Sequence, residues 1–300
     1  MPAIVLGAAG QLGRELVRAF PEAVAIDRTC CDLEDEGALW SMLTRMAPSC
    51  LLNGAAYTDV DGAEVEVERA YRVNTIVPGV LADYALRHRI PLVHYSTDYV
   101  FDGRKNGRYV ESDLPRPLNT YGASKHAGEE AVCTRSSLGG GKYYLLRTSW
   151  LYGPTNGPGG NFIKTILRMA EQRDTLHVVA DQYGTPTSAR WLACVTRDLL
   201  AAQPEAPAGI YHAVPNGEVT WHGLAAFAIS EAMTRGMPVR VLPQNIKAVE
   251  TWQFPRRAVR PTNSRLDNAK LALALRATSF PAWQTQVGEY IAELHSLLCS

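Results

Sequence analysis

The chain has 300 residues, 46% of them hydrophobic, enough for one large α/β domain or two modest ones with real cores; this excludes a disordered or fibrous protein. Thirty basic and thirty acidic residues cancel, so no net field draws in nucleic acid or an anionic membrane, and neither is an expected partner. Met1-Pro2 leads straight into AIVL without a basic leader, and no apolar run approaches about 20 residues, so the protein is expected in the cytoplasm. The six cysteines (Cys30, Cys31, Cys50, Cys133, Cys194, Cys299) show no CxxC spacing and read as reduced thiols, mostly core filler.

In chain order the first element is a strand, AIVL (3–6), that runs into GAAGQLG (7–13) and then a helical RELVRAF. Gly7 permits the tight turn, Gly10 lets backbone approach a pyrophosphate, and Gly13 lets the helix pack closely on the strand, leaving the phosphates at the helix N-terminus. A second strand, AVAI (23–26), is followed by Asp27, about 20 residues after Gly7, where a carboxylate can take the adenosine ribose hydroxyls. Glycine-rich turns are common, but one set between a strand and a helix, with an acid at this distance, reads as a dinucleotide site. Asp27 repels a 2′-phosphate whereas Arg14 and Arg28 can attract one, so NADPH and NADH both stay open.

Further strands are predicted at SCLLNG (49–54), PLVHYS (91–96) and KYYLLRTS (142–149). Between them, EGALWSMLTRM (36–46) and ERAYRVNTIVPGVLADYALRHR (68–89) carry apolar residues at three- and four-residue spacing and read as crossover helices. The alternation predicts an α/β fold, a Rossmann-type doubly wound parallel sheet. Near residue 150 the texture changes: Gly and Pro cluster in 152–160, and helices (161–172, 189–202, 221–233) mix with short strands LHVV (176–179), GIYHAV (209–214) and VRVLP (239–243). Residues 1–150 are expected to form the NAD(P)-binding domain and 151–300 a smaller α+β substrate lobe, with some segments returning to the first.

Two motifs carry chemistry. NTYGASKHAG (119–128) places Tyr121 and Lys125 one helical turn apart on one face, and the strand PLVHYS delivers Thr97 near its C-terminal end. On their own these are a solvated pair and an ordinary turn. The GxxGxxG spacing and the YxxxK pattern together resemble the short-chain dehydrogenase/reductase superfamily. An ammonium about 5 Å from a phenol, at an effective dielectric near 20, favours the phenolate by roughly 3 kcal/mol, about two pKa units. A phenol so tuned can exchange a proton with a carbonyl/alcohol pair near neutral pH, with the Thr97 hydroxyl holding the substrate oxygen.

HYSTDYVFDG (94–103), NTYGASKHAGE (119–129), RTSWLYG (147–153), NFIKTILRMA (161–170), DQYGTPT (181–187) and RPTNSRL (260–266) together resemble the dTDP-4-dehydrorhamnose reductase family, over nearly the whole chain. The resemblance implies NADPH- or NADH-dependent reduction of the C4 ketone of a dTDP-linked 6-deoxy-4-keto-hexose, dTDP-4-dehydro-L-rhamnose. It also implies roles. Gly10, Gln11 and Leu12 would meet the pyrophosphate, Asp27 the ribose, and Asp32 and Leu33 the adenine, although Asp32 also reads as a helix N-cap. Ala55, Ala56, Tyr57 and Thr58 would lie along the cofactor. Thr97, Asp98, Tyr121 and Trp150 would meet the sugar, with Lys125 also holding the nicotinamide ribose. A Trp after a strand is more often core, and it is the family alignment that brings Trp150 to the substrate. Arg256, Arg257, Arg260 and Arg265 form a basic cluster, of which Arg260 and Arg265 are the expected clamp on the diphosphate.

Some members of that family gather acids around Mg²⁺ at a dimer contact, using the residue here present as Glu15 and an acid after the DQYG block. This chain has Arg190 there, and a guanidinium cannot ligate a cation, so no metal is expected and the protein is read as a monomer or weak homodimer. Two alternatives share the motifs. A sugar-nucleotide dehydratase or epimerase would have the same glycine loop, but dehydration usually needs an Asp-Glu pair after the Thr, and Asp98 is followed by Tyr99. A regulatory subunit of the same fold need not keep Thr97, Tyr121 and Lys125 together.

Overall fold

Five short runs of aliphatic residues form parallel strands because helices cover both of their faces. They are β1 (Ala3–Leu6), β2 (Val24–Ile26), β3 (Cys50–Asn53), β4 (Leu92–Thr97) and β5 (Tyr143–Thr148), each end within one residue of the sequence reading. In this computed structural model, which describes residues 2–139, 141–156, 160–202 and 205–299, a sixth strand, Gly209–His212, returns from far along the chain to pair with β5. The sheet order is Gly209–His212, β5, β4, β3, β1, β2. The chain leaves β1 toward one edge and later resumes on its other side at β3, so the crevice above the C-terminal ends of β1 and β3 is the switch point where ligands bind in such sheets.

Alternation along the strands divides the core. Val5, Leu52, Val93 and Leu146 face the helices Gln11–Ala19 and Ala189–Ala201. Ile4, Leu6, Leu51 and Leu92 face Glu36–Met46 and Val77–His88. A separate core lies beyond the sheet, where Phe162–Gln172, Leu176–Val179, Trp221–Thr234 and the C-terminal Trp283–Cys299 contribute Ile163, Ile166, Val178, Leu224, Ile229, Val287 and Ile291.

The reading differs from the structure at three places. VRVLP is not a strand: Val241 is buried in the second core, and the strand that pairs with Leu176–Val179 is Ile246–Val249, because Pro243 has no N–H for a ladder and opens a short 3-10 turn instead. The long C-terminal helix carried no reading at all. The predicted helix over 68–89 is helical but breaks register, with Val67–Tyr71, a π-turn over Arg72–Ile76, then Val77–His88.

That break positions the site. Pro78 cannot donate to Asn74 O, and Gly128 of the Thr120–Ser137 helix presses against that carbonyl; a Cβ on Gly128 would lie 2.0 Å from Asn74 O. The two helices therefore meet at backbone distance, which brings the start of Thr120–Ser137 to the ends of the strands. The five cysteines whose side chains are described are free, and Cys299's thiol lies outside the described residues. Burial pushes the Cys50 thiol up to about 12, which leaves it inert. No helix among the described residues is long and apolar enough to cross a membrane.

Candidate active site

The glycine loop is shaped by contacts that only glycine allows. Gly7 has φ +72°, and a Cβ on it would lie 2.7 Å from the backbone of Ala55, at the end of β3. A Cβ on Gly13 would lie 2.1 Å from Gly7 O, so the helix Gln11–Ala19 can sit this close only with glycine there. That helix starts at Gly10 with no side-chain cap, leaving its first N–H groups and the positive end of its dipole to whatever enters the turn. The absence of Cβ atoms and the uncapped N-terminus fit a dinucleotide pyrophosphate. Leu12 is buried beneath the loop, and Gln11 ties it to the second half by accepting from Gly153 N at 2.8 Å.

Around this cradle the expected cofactor residues follow the strand ends. Asp27 accepts from Thr29 N at 2.9 Å and from its hydroxyl at 2.6 Å, contacts that hold its carboxyl below the ordinary range. Asp32 is not the helix N-cap: it accepts from Glu34 N at 3.0 Å, while Asp35 caps Glu36–Met46 through Ala38 N at 2.9 Å. The cap falls three residues later because the chain makes an extra turn first, beside a half-buried Leu33. Past β3, Ala55, Ala56 and Tyr57 are half-buried and Thr58 is exposed. Buried Asn74 fixes this stretch by accepting from Tyr57 N at 2.9 Å and donating to Tyr57 O at 3.1 Å.

Thr97 ends β4. Its hydroxyl accepts from Tyr99 N at 3.2 Å and donates to Asp98 at 3.1 Å, and the Tyr121 phenol lies beside it. Tyr121 stands in the first turn of Thr120–Ser137, which Asn119 caps through Gly122 N at 2.8 Å, with the Tyr99 ring edge-on at 5.8 Å. One turn on, Lys125 is 2% exposed and donates to Tyr95 O at 2.6 Å, with His94 Nε2 at 3.5 Å. The structure therefore brings Thr97, Asp98, Tyr121 and Lys125 together at the mouth of the sheet.

The electrostatics correct one expectation. Burial pushes the Tyr121 phenol up to about 12, with the Thr97 hydrogen bond opposing and the Asp98 charge adding. Desolvation sets the direction, and the short bond of the Lys125 ammonium runs to the Tyr95 carbonyl instead. Burial also lowers Lys125 to about 8, with the Glu129 charge opposing. Asp98 is raised to about 7 by burial, against hydrogen bonds from Ser264 and Thr97, and its Oδ2 has no protein partner among the described residues.

Across the crevice Trp150 has φ 47°, a left-handed backbone that is costly for a bulky residue and persists only where its surroundings enforce it. They do: its ring stacks on Trp221 at 3.6 Å and 12°, and packs so closely on Gly184 that a Cβ there would lie 2.5 Å from the ring. The two expected clamp residues already have partners. Arg260 donates to Asp61 at 2.8 Å and to Ala258 O at 2.8 Å. Arg265 bonds Asn263 at 2.8 Å and Glu218 at 3.0 Å, and lies over the Tyr183 ring. Arg256 covers the Phe254 ring and Arg257 is exposed. Elsewhere, Arg190 bonds Glu293 at 2.7 Å and reaches Glu15 at 3.9 Å.

Sequence reasoning missed Asn53, Asn74, His94, Ser264 and the buried pair Glu129–Arg147, joined at 2.7 Å and 2.9 Å. A signal was present: Asn53, His94 and Arg147 interrupt strands otherwise made of aliphatic and aromatic side chains, and a polar side chain in a doubly covered strand must find a partner.

The comparisons agree with the geometry. Residues 1–296 match the family model described as the RmlD substrate binding domain. The dTDP-4-dehydrorhamnose reductase of Aggregatibacter actinomycetemcomitans is 39% identical over 279 residues, covering 90% of this chain and 92% of that protein. Among solved structures, a dTDP-4-dehydrorhamnose reductase from Clostridium acetobutylicum superposes with a TM-score of 0.88 at 32% identity, covering 100% of both chains. A second from Bacillus anthracis, in complex with NADP, gives 0.86 at 33% identity, covering 98% of this chain and 100% of that one.

Proposed function

The chain belongs to the dTDP-4-dehydrorhamnose reductase family, and from that premise we propose that Thr97, Tyr121 and Lys125 carry its reaction. The protein is an NAD(P)H-dependent oxidoreductase of dTDP-L-rhamnose biosynthesis that reduces the C4 ketone of dTDP-4-dehydro-L-rhamnose. The observation that carries the residue assignment is the placement of Thr97 at the C-terminal end of β4, Tyr121 in the first turn of the neighbouring Thr120–Ser137 helix and buried Lys125 one turn on, beside the glycine cradle.

The cradle of Gly7, Gly10 and Gly13 holds the pyrophosphate, with Gln11 and Leu12 completing the helix start, Asp27 near the adenosine ribose, Asp32 and Leu33 toward the adenine and Ala55–Thr58 along the cofactor. Bound there, the reduced nicotinamide supplies hydride to C4. The ketone oxygen enters between the Thr97 hydroxyl and the Tyr121 phenol and accepts from both. As negative charge develops on that oxygen, Tyr121 transfers its phenolic proton, a transfer suited to a phenol that burial keeps protonated. Lys125 then stabilises the phenolate left on Tyr121 and meets the nicotinamide ribose. Asp98, whose carboxyl burial raises to about 7, sets which way the Thr97 hydroxyl points: a carboxylate accepts the Thr97 O–H hydrogen bond, whereas the protonated acid donates to the Thr97 oxygen and leaves its O–H for the substrate. Trp150 presents its ring edge to the sugar, and Arg260 and Arg265 reach the diphosphate by sharing their present carboxylate partners. The enzyme works in the cytoplasm, on a dTDP-linked 6-deoxy-4-keto-hexose, as a monomer or weak homodimer.

The test is turnover: purified protein with NADPH and dTDP-4-keto-6-deoxyglucose, coupled to a 3,5-epimerase, should oxidise the cofactor and yield dTDP-L-rhamnose by NMR of the sugar ring. A C4 epimer as sole product, or full activity on the free sugar, would overturn the substrate assignment. Cofactor binding with no turnover would favour the regulatory-subunit reading.

A further inference from the structure

Beneath the Tyr121–Lys125 pair lies a group with no role in the steps above. His94, on β4, is 0% exposed, and its two ring nitrogens face Asn53 Nδ2 at 3.0 Å and Lys125 Nζ at 3.5 Å. Asn53, on the neighbouring strand β3, is itself 1% exposed. A polar row thus crosses the sheet from Asn53 through the imidazole to the ammonium.

The row does not close as it stands. An Asn53 amide nitrogen against Nδ1 makes Nδ1 the acceptor, so a neutral imidazole carries its proton on Nε2, facing a second donor, the Lys125 ammonium. Rotating the Asn53 amide by half a turn exchanges its oxygen and nitrogen, which are distinguished only by their hydrogen-bond partners. Oδ1 then accepts from Nδ1–H, and Nε2 is bare toward Lys125. The contact given up, Ala55 N to Asn53 Oδ1 at 3.3 Å, is a long one. Of the two arrangements only the second gives the ammonium an acceptor on the imidazole, beside the Tyr95 carbonyl. We propose that His94 is a positioning residue for the reduction, holding Lys125 charged and aimed at Tyr121 by accepting from its ammonium through Nε2, with Asn53 fixing the tautomer.

The need for such an acceptor follows from the surroundings. On its own helix Lys125 has Tyr121 and Glu129, and Glu129 is already committed to Arg147 on β5. From β4 come His94, the Tyr95 carbonyl and, at the strand's end, Asp98. The packed 67–88 segment brings Asn74, bonded to Ser124 Oγ, and Thr75, bonded to Ser124 O, against Lys125's turn, while its one acid paired with this helix, Asp83, holds Arg135 at 3.0 Å near the helix's other end. Without His94 the only fixed acceptor among the described residues is Tyr95 O, while burial already favours the neutral amine. Burial and the Lys125 charge both keep His94 itself neutral, as an acceptor must be.

The inference rests on the proposed roles of Tyr121 and Lys125, so its test is built to fail separately from theirs. The readouts are the alkaline limb of kcat against pH and, independently of turnover, the pH dependence of the NADPH dissociation constant followed by fluorescence. His94→Leu should move both limbs down by about one pH unit, the scale on which a lost hydrogen bond to a charged group shifts a pKa. His94→Gln, whose amide oxygen can replace Nε2, should restore them. Asn53→Asp, whose carboxylate pins the proton on Nδ1, should move them up. Unshifted limbs in a folded His94→Leu protein overturn the proposal; should that variant not fold, unshifted limbs in Asn53→Asp do so. If Tyr121→Phe is inactive while the limbs stay put, only the role of His94 is lost. If Tyr121→Phe remains active, the catalytic assignment has failed instead.

Discussion

On the β4 side of the crevice, the functional groups are set by backbone: Thr97 ends a strand, Tyr121 opens a helix capped by Asn119, and Lys125 is locked to the Tyr95 carbonyl. The other expected substrate contacts are set by side chains: Arg260 is held by Asp61, Arg265 by Glu218, and Trp150 by Trp221 and Gly184. The first arrangement is largely preorganised, since only the Thr97 hydroxyl must turn from Asp98 when substrate arrives. The second needs an exchange of partners, and an ion pair that must loosen to bind a diphosphate gives back part of what it gains. Chemistry should therefore depend steeply on the first arrangement, and binding more gently on the second.

The sharpest way to break that contrast is Tyr121→Phe. Removing only the hydroxyl should lower kcat by ~10²-fold or more, the usual contribution of a general acid, while NADPH affinity stays near wild type. Retention of more than about a tenth of the rate would remove Tyr121 as the acid. In the second arrangement, Arg260→Ala should raise KM for the nucleotide-linked substrate by ~1.5 to 3 kcal/mol with kcat little changed. Asp61→Ala separates the two meanings of that pair. If Arg260 is a clamp, freeing it from Asp61 should lower KM; if it is a strut, both variants should lose similar stability and the double variant no more than either.

A smaller effect concerns pH. The Asp98 carboxyl is raised from 3.8 to about 7 by burial, so between those values the folded state holds a proton that the unfolded chain releases. Its contribution is full below 3.8 and is lost as pH rises through about 7. Glu129 has the opposite sign: lowered to about 2, with the Arg147 bonds outweighing burial, it stabilises above 4.5 and loses that only in strong acid. Asp98→Asn should therefore flatten the fall of stability between about pH 4 and 7, measured by urea midpoints, and an unchanged slope would show that Asp98 ionises at its ordinary value.

What could be read in advance follows the same division. The glycine loop, the strand ends and the YxxxK pair are local patterns whose geometry follows from a few consecutive residues. Asp98–Ser264, Asp61–Arg260 and Trp150–Trp221 join residues far apart in the chain, and no periodicity announces which surface arginine will find an acid. The phenol's shift was misjudged because a pairwise Coulomb argument carries no desolvation, and burial is a property of the assembled core. VRVLP reads as strand by composition, and only the place of Pro243 tells against it. His94 lay in plain view within an apolar strand, but its partner Asn53 belongs to the neighbouring strand.

The smallest effect expected is none at all, and it concerns the corner where Arg190 meets Glu15 and Glu293. Arg190 joins Glu293 on the C-terminal helix and reaches Glu15 on the helix after the glycine loop. Glu15, though 3% exposed, keeps a second guanidinium partner in Arg18 at 2.8 Å. A cation entering there would have to displace two arginines from one carboxylate, and Arg190 brings its own positive charge against it. Among the described residues no group of three His, Cys, Asp or Glu side chains could hold a metal ion. Mg²⁺ and EDTA should therefore leave the turnover rate and the mass in solution unchanged. Arg190→Ala, at a residue 56% exposed, should cost at most about 1 kcal/mol of stability, because a screened ion pair contributes little and Arg18 remains. A rate or a mass that rises with Mg²⁺ would show that the corner still works as a metal site, and that Arg190 swings out of it.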